Sequence, residues 1–300
     1  MKLESISRKY EDNLTKTLRM LTTDPATLVQ VGLSKARTRL QPLPELPAER
    51  VINGVRFRFE FDFTLVDNPE TEAFRRMLIK DMFYETYRML LVRTIKRYLR
   101  PGGIFFDLGA SLGYISALAA GFVGKSGQVH AFEPIPPYFR SIEVLASLNP
   151  DYQIFPNQCA VGEVSGEARI AVDTAVFSGS SLAADTDADG EQFITVPLVS
   201  LDDYIEEHGI ADISLLFVEV EGYELPALKG MQRYLNRTGR RPPIVCTVHP
   251  HYYPVNGYTL NDLAAFIEAY GYAAHLVSQP GVDFDIRALD ALTIVLLTPR

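Results

Sequence analysis

Three hundred residues, 47% of them hydrophobic, can bury a core large enough for one catalytic domain with an N-terminal extension. A formal charge of -8 without a basic run argues against a nucleic-acid backbone as the main partner, and two cysteines, Cys159 and Cys246, cannot build a disulfide framework or a zinc cluster. No segment approaches a transmembrane span and Met1-Lys2-Leu3-Glu4-Ser5 lacks the apolar stretch of a signal peptide, so a soluble protein of the reducing cytoplasm is expected.

Leu3, Ile6, Tyr10, Leu14, Leu18 and Leu21 recur at three- and four-residue steps, which predicts an amphipathic helix over residues 3–21 that needs a partner surface. Asp24-Pro25, a cap followed by a first-turn proline, opens a second helix ending near Leu40, and the proline-rich residues 41–47 form a stiff linker. We therefore divide the chain into an N-terminal helical extension and linker, residues 1–48, and a main domain, residues 49–300. The helices before residue 41 could cap the site, pair two copies of the chain as a homodimer, or dock on a biosynthetic partner.

Asn53-Gly54 is a hairpin signal, and Val55, Phe57, Phe59, Phe61 and Phe63 alternate with charged residues, as a strand with one buried face requires. Residues 70–99 carry a helical apolar stripe, interrupted or ended before Pro101-Gly102-Gly103. Apolar runs then predict core strands near residues 105–108, 129–132, 152–155, 213–218, 243–248, 273–277 and 292–297, with helices over about 137–148 and 261–270. Strand-like residues 168–172 and 193–198 flank a polar stretch and read as an inserted β-arm. Strands alternating with helices, closed by two strands with none between them, give an α/β fold whose mostly parallel sheet ends in an antiparallel edge strand.

The first core strand runs into Asp107-Leu108-Gly109-Ala110-Ser111-Leu112-Gly113-Tyr114, and the second ends on Glu133-Pro134. A strand, a glycine turn, a helix start and an acid after the next strand together cradle a nucleoside-containing cofactor. Gly109 and Gly113 would let a ligand approach the backbone, the helix start near Leu112 offers N–H groups to an anion, and Glu133 can accept from a ribose diol. A dinucleotide turn wants a third close glycine where this chain has Tyr114, Ile115 and Ser116, so phosphate-free S-adenosyl-L-methionine fits better. Two other meanings compete: a plain strand-to-helix turn, and the nucleophile elbow of an esterase, since Gly109-Ala110-Ser111-Leu112-Gly113 also satisfies Gly-x-Ser-x-Gly with His249 downstream.

After the fourth core strand, Glu219-Val220-Glu221-Gly222-Tyr223-Glu224 would put Glu219 and Glu221 on one side of an extended chain facing the glycine turn. His249-Pro250-His251-Tyr252-Tyr253-Pro254 follows the fifth strand at the same edge. Two histidines two residues apart could share a metal with Glu219 or Glu221, although neutral loop histidines are the commoner case and no metal is assigned. Tyr252, Tyr253 and Tyr258 could wall an acceptor pocket.

Together with Ala160-Val161-Gly162, Ser180-Ser181-Leu182, Leu201-Asp202-Asp203-Tyr204, Leu228-Lys229-Gly230 and Val248-His249-Pro250, these motifs resemble the FkbM family of S-adenosylmethionine-dependent methyltransferases over about residues 80–255. The resemblance implies a class I, Rossmann-like methyltransferase fold over residues 49–300 and a hydroxyl acceptor on a small molecule, a saccharide or secondary metabolite. It also implies that Asp107, Gly109, Ala110, Ser111, Gly113 and Tyr114 line the methionine and ribose side. Glu133 and Pro134 would lie at the ribose, Cys159, Ala160 and Val161 at the adenine, and Glu219 near the transferring methyl. Candidates for removing the acceptor's proton are Glu219, Glu221 and His249, in that order. Departures are Ser111 for the usual Asn, Phe217-Val218-Glu219 for Lys-Ile-Asp, and Thr247 where Glu is frequent; they bear on the acceptor side more than on the cofactor side, and a cofactor-binding relative with altered catalysis is the alternative.

Overall fold

Strands that are apolar on both faces must be covered on both, and the runs identified above meet this need in one seven-stranded sheet. In the computed structural model, residues 25–60, 69–85, 87–172 and 192–300 are described. The helix expected over residues 3–21, Phe61 and Phe63 of the alternating strand, and Ser180-Ser181-Leu182 lie outside them.

Helix α1 (Pro25–Arg39) precedes the hairpin of β1 (Ala48–Ile52) and β2 (Val55–Phe59), which turns at Asn53-Gly54 as expected. Val55, Phe57 and Phe59 are buried while Arg56 is exposed. The long helical stripe is two helices, α2 (Pro69–Phe83) and α3 (Met89–Tyr98), broken where Glu85 and Arg88 adopt positive φ of 58° and 42°.

Two strand–helix–strand units then follow, in which α4 (Tyr114–Val123) joins β3 (Ile104–Leu108) to β4 (Gln128–Phe132) and α5 (Pro136–Leu148) joins β4 to β5 (Gln153–Asn157). A side sheet comes next, in which β6 (Ala160–Gly162) pairs in parallel with β8 (Gln192–Ser200) and β7 (Gly166–Val172) pairs antiparallel with β8. This is the inserted arm. The chain returns through α6 (Leu201–Glu207) to β9 (Leu215–Val218), then α7 (Glu224–Lys229), α8 (Gln232–Thr238), β10 (Ile244–Val248), α9 (Leu260–Ala269), β11 (Tyr272–Leu276) and β12 (Thr293–Pro299).

Across the main sheet the order is β11-β12-β10-β9-β3-β4-β5, parallel from β10 to β5. The antiparallel pairing lies at the expected margin, with the reversed strand β12 inserted between β10 and β11 rather than forming the rim. A loop without a helix joins β11 to β12, which is why this pair can run antiparallel.

Alternate side chains of each strand feed two cores. Phe106, Leu108, Leu216, Val218, Cys246 and Val248 pack with α6 to α9, whereas Phe105, Leu215, Phe217 and Val245 pack with α3, α4 and the hairpin. The hairpin docks by specific contacts: the Arg56 N–H donates to Asn149 Oδ1 (2.8 Å), Asn149 Nδ2 donates to the Arg56 carbonyl (2.7 Å), and a Cβ at Gly121 would collide with the Asn53 carbonyl.

Candidate active site

Parallel register decides which loop residues meet. Leu108 pairs with Phe132 on one side and Val218 on the other, so Gly109, Glu133 and Glu219 leave three neighbouring strands at one edge. The ladders continue one residue further, with the Glu219 N–H donating to the Leu108 carbonyl (2.9 Å) and the Glu133 N–H to the Asn157 carbonyl (3.0 Å).

Both glycines of the turn have positive φ, 81° at Gly109 and 80° at Gly113. Their missing side chains face protein, which changes the reason for them: a Cβ at Gly109 would strike the Glu219 carbonyl oxygen, and one at Gly113 would lie 3.4 Å from Ile142 and Leu145 of α5. The turn is drawn onto β4 because the N–H groups of Gly109 and Ala110 both donate to the Phe132 carbonyl, at 2.9 Å each. Glu133 clasps the loops from the other side. Its Oε2 accepts from the Ser111 N–H (2.8 Å) and its Oε1 from the Ile135 N–H (2.9 Å), so each oxygen keeps one lone-pair direction for a ligand. Burial pushes its carboxyl up to about 7, against the pull of those two bonds.

Asp107 is fully buried under the turn. Ser116 Oγ donates to its Oδ2, while Oδ1 has no partner among the described residues. Burial raises this carboxyl to about 7 despite the Ser116 bond, helped by the charges of Glu219 and Glu133. Tyr114 turns away into the core: its ring meets Phe57 and Tyr87 edge-on, with centroids 5.9 and 5.7 Å away. Pro134 is half-buried, and Cys159, with its thiol pushed up to about 12 by burial, leads into the buried Ala160 and Val161 of β6.

Glu219 and Glu221 do not share one side of an extended chain. Glu221 has φ 46° and Gly222 φ 92°, so the chain turns between them and the carboxylates part. Glu219 goes to Arg88, whose Nη1 lies 2.5 Å from Oε1 and 2.6 Å from Oε2, with the two side chains 21% and 20% exposed. Glu221 goes to His249, Oε2 to Nε2 3.2 Å, and Glu224 Oε1 takes the other ring nitrogen, Nδ1, at 2.7 Å. Burial lowers the His249 pKa, but Glu224, Glu221 and Glu219 outweigh it and the net shift is upward. Burial raises Glu221 to about 7, opposed by His249 and assisted by Glu219 and Glu224.

Two residues that contact the predicted acids and His249 escaped the sequence reading. Arg88 contacts Glu219 from 131 positions away, across an irregular joint that periodicity cannot place. It stands on the face to which Phe217 contributes only a buried ring, so the cation near the acids comes from the joint just before α3. Glu224 was visible in its motif, but only the fold brings its buried carboxylate to His249.

Other expectations need correction. Tyr253 is 1% exposed, buried beside Glu224, and so forms core rather than an acceptor wall; Tyr252 closes over Gly222, where a Cβ would collide with it. His251 is exposed, while both nitrogens of His249 already face carboxylates. That leaves neither nitrogen of His249 to take a proton from Ser111, and the elbow reading loses the base it named. Among the described residues no group of three or more His, Cys, Asp or Glu is arranged to hold a metal.

The chain is 28% identical over 209 residues to the 31-O-demethyl-FK506 methyltransferase FkbM of Streptomyces tacrolimicus, covering 61% of this chain and 77% of that one. Among solved structures it is similar to a methyltransferase FkbM from Methylobacillus flagellatus, with 17% identity, 78% of this chain covered and TM-score 0.42; the chain spans 57% of that protein. A second is fibrillarin of Aeropyrum pernix with bound S-adenosyl-L-methionine, at 11% identity, 87% and 85% coverage and TM-score 0.41. The family model of the Methyltransferase FkbM domain matches residues 107–274. Because that match runs over more than half of the chain, from the aspartate ahead of the glycine turn to strand β11, the chain belongs to the FkbM family of S-adenosylmethionine-dependent methyltransferases.

Proposed function

We propose that this chain is an O-methyltransferase acting on a hydroxyl of a saccharide or secondary metabolite, with residues 49–300 as the methyltransferase domain and residues 1–48 as an extension of it. One observation carries this: Gly109, Glu133 and Glu219 leave neighbouring parallel strands together, above a buried Asp107 whose Oδ1 has no partner among the described residues. Open α/β sheets bind ligands at that end. The residues present fit S-adenosylmethionine, since Asp107 with its unpartnered Oδ1, Glu133 and Glu219 supply acceptors for ammonium, ribose hydroxyls and positive sulfur.

When bound, the cofactor supplies a methyl carbon activated by that sulfur. Gly109, Ala110, Ser111 and Gly113 shape the floor, Glu133 and Pro134 flank the ribose, and Cys159, Ala160 and Val161 flank the adenine. Tyr114 supports the floor from beneath by packing on Phe57 and Tyr87. The protein must still align the acceptor and remove its proton. Of the three expected candidates Glu221 suits that task, His249 being buried between two carboxylates, while Glu219, tied to Arg88, holds negative charge beside the methyl. Support for a hydroxyl acceptor comes from the Streptomyces relative, whose name records an O-demethyl compound. A homodimer through the N-terminal helices belongs to the same proposal, supported by Val29, Leu33 and Leu40, which are exposed on and after α1.

Calorimetric titration with S-adenosylmethionine and its demethylated product, then transfer of labelled methyl to a panel of monosaccharides, glycosides and 31-O-demethyl-FK506, tests this. Binding and a labelled ether are expected. Binding without transfer to any hydroxyl points to the altered relative, and no binding at millimolar concentration contradicts the cofactor assignment.

A further inference from the structure

Three side chains run in file from the site edge into the core. Glu221 is 24% exposed at its side chain, His249 2% and Glu224 0%, linked by contacts of 3.2 Å (Oε2 to Nε2) and 2.7 Å (Nδ1 to Oε1). Glu224 Oε1 also accepts the Gly222 N–H at 2.8 Å, fixing it from the turn that aims Glu221. Because Nδ1 faces an acceptor, it carries a hydrogen. On the other side Nε2 and Glu221 Oε2, both proton acceptors when bare, stand 3.2 Å apart, a contact that a protonated imidazole makes favourable.

We propose that Glu221 is the group that takes the acceptor's proton, and that His249 and Glu224 are positioning residues which hold it ionised and aimed, Glu224 acting only through His249. This rests on the O-methyltransferase reading above. Accessibility selects Glu221, because His249 and Glu224 are sealed from any acceptor. The rival carboxylate, Glu219, is committed to Arg88. As a lone pair of the acceptor oxygen forms the O–CH3 bond, the S–CH3 pair returns to sulfur, the O–H pair returns to oxygen, and the proton passes to Glu221 and then to water.

The charged surroundings are mixed. His249 faces Glu221, Glu224 and Glu219, with the His251 and Tyr252 rings 6.3 and 6.2 Å away. Glu221 also feels Arg88, and Glu224 lies against Tyr253 and Cys246. Removing the Glu224 carboxylate takes away the strongest of the three groups that raise His249 against burial, and a His249 that carries less charge lowers Glu221 less. Proton removal then needs a higher pH.

The test is titration of the ring nitrogens of His249 by nitrogen-15 NMR in the full wild-type chain and in Glu224→Gln, with S-adenosylhomocysteine affinity measured on the same samples. Expected are a midpoint above the ordinary 6.5 in wild type and a fall of about one unit or more in Glu224→Gln, with affinity within about twofold. Where a hydroxyl of the panel is methylated, the acid limb of kcat should move up by about one unit in Glu224→Gln and turnover should recover at alkaline pH. A His249 midpoint at or below 6.5 in wild type overturns the proposal even if the variant fails to fold, and so does an unmoved midpoint or a loss of kcat equal at every pH. Wild-type binding without methylation of any hydroxyl would instead sink the reading on which it rests.

Discussion

Gly109 is the residue on which the site edge turns. It needs positive φ, and its empty side-chain position is filled by the Glu219 carbonyl. Gly109→Ala combines a strained backbone with a collision against main chain, so denaturant unfolding should show a loss of roughly 2–5 kcal/mol; a loss under about 0.5 kcal/mol would mean that the approach is not tight. Such a glycine was legible in the sequence as a necessity, but its neighbour was not, because the neighbour lies 110 residues on and depends on strand order. Arg88 belongs to the same scale. Arg88→Met removes the cation beside Glu219 while keeping an apolar stem, and should weaken binding or turnover at the acceptor by about tenfold or more with folding intact, as read by KM and kcat on the hydroxyl panel. An unchanged kcat/KM would show that the ion pair is incidental.

Among elements, the hairpin of β1 and β2 and the helix α8 depend on contacts that no local pattern specifies. Phe57 is 2% exposed and packs edge-on against Phe59 and Tyr114, so it links the hairpin to the first turn of α4. Phe57→Ala should cost about 3–5 kcal/mol and, by loosening Tyr114, should weaken cofactor binding measured by calorimetry; normal affinity would separate the hairpin from the turn. Asp202 plays a comparable part for α8. Its Oδ1 accepts from the Tyr234 N–H and its Oδ2 from the Arg233 N–H, both at 2.7 Å, so it caps a helix from another element. Asp202→Asn turns an amide donor toward one of those donors, and unfolding should register about 1–3 kcal/mol. Alternating phenylalanines made the hairpin readable, since period two with one buried face is a local signal. Its docking by Asn149 and Gly121, and the insertion of β12 ahead of β11, were not readable because they are decided by packing across the sheet. The extended geometry expected for Glu219 to Glu221 failed for a related reason: the turn at Glu221 and Gly222 is stabilised by distant groups, His249 and Tyr252.

For the whole molecule, the site edge carries an electrostatic cost. Asp107, Glu133 and Glu221 are each raised to about 7, chiefly by burial. A carboxyl whose pKa is higher folded than unfolded binds its proton more tightly in the native state, so its contribution is fully present at low pH. That contribution is lost as pH rises from the ordinary carboxylate range to about 7. The unfolding free energy of wild type relative to Glu133→Gln should therefore fall by roughly 1–3 kcal/mol between pH 5 and 8; a flat or rising difference would mean that Glu133 is not desolvated. A positively charged ligand at this edge would relieve the same cost, linking stability to occupancy. The most direct test of that central claim is a crystal structure of the full chain with S-adenosylhomocysteine. The ligand is expected at the carboxyl ends of β3 and β4, with its ribose at Glu133, its amino-acid end over Gly109 and its sulfur toward Glu219; a ligand seated away from these three residues would contradict it.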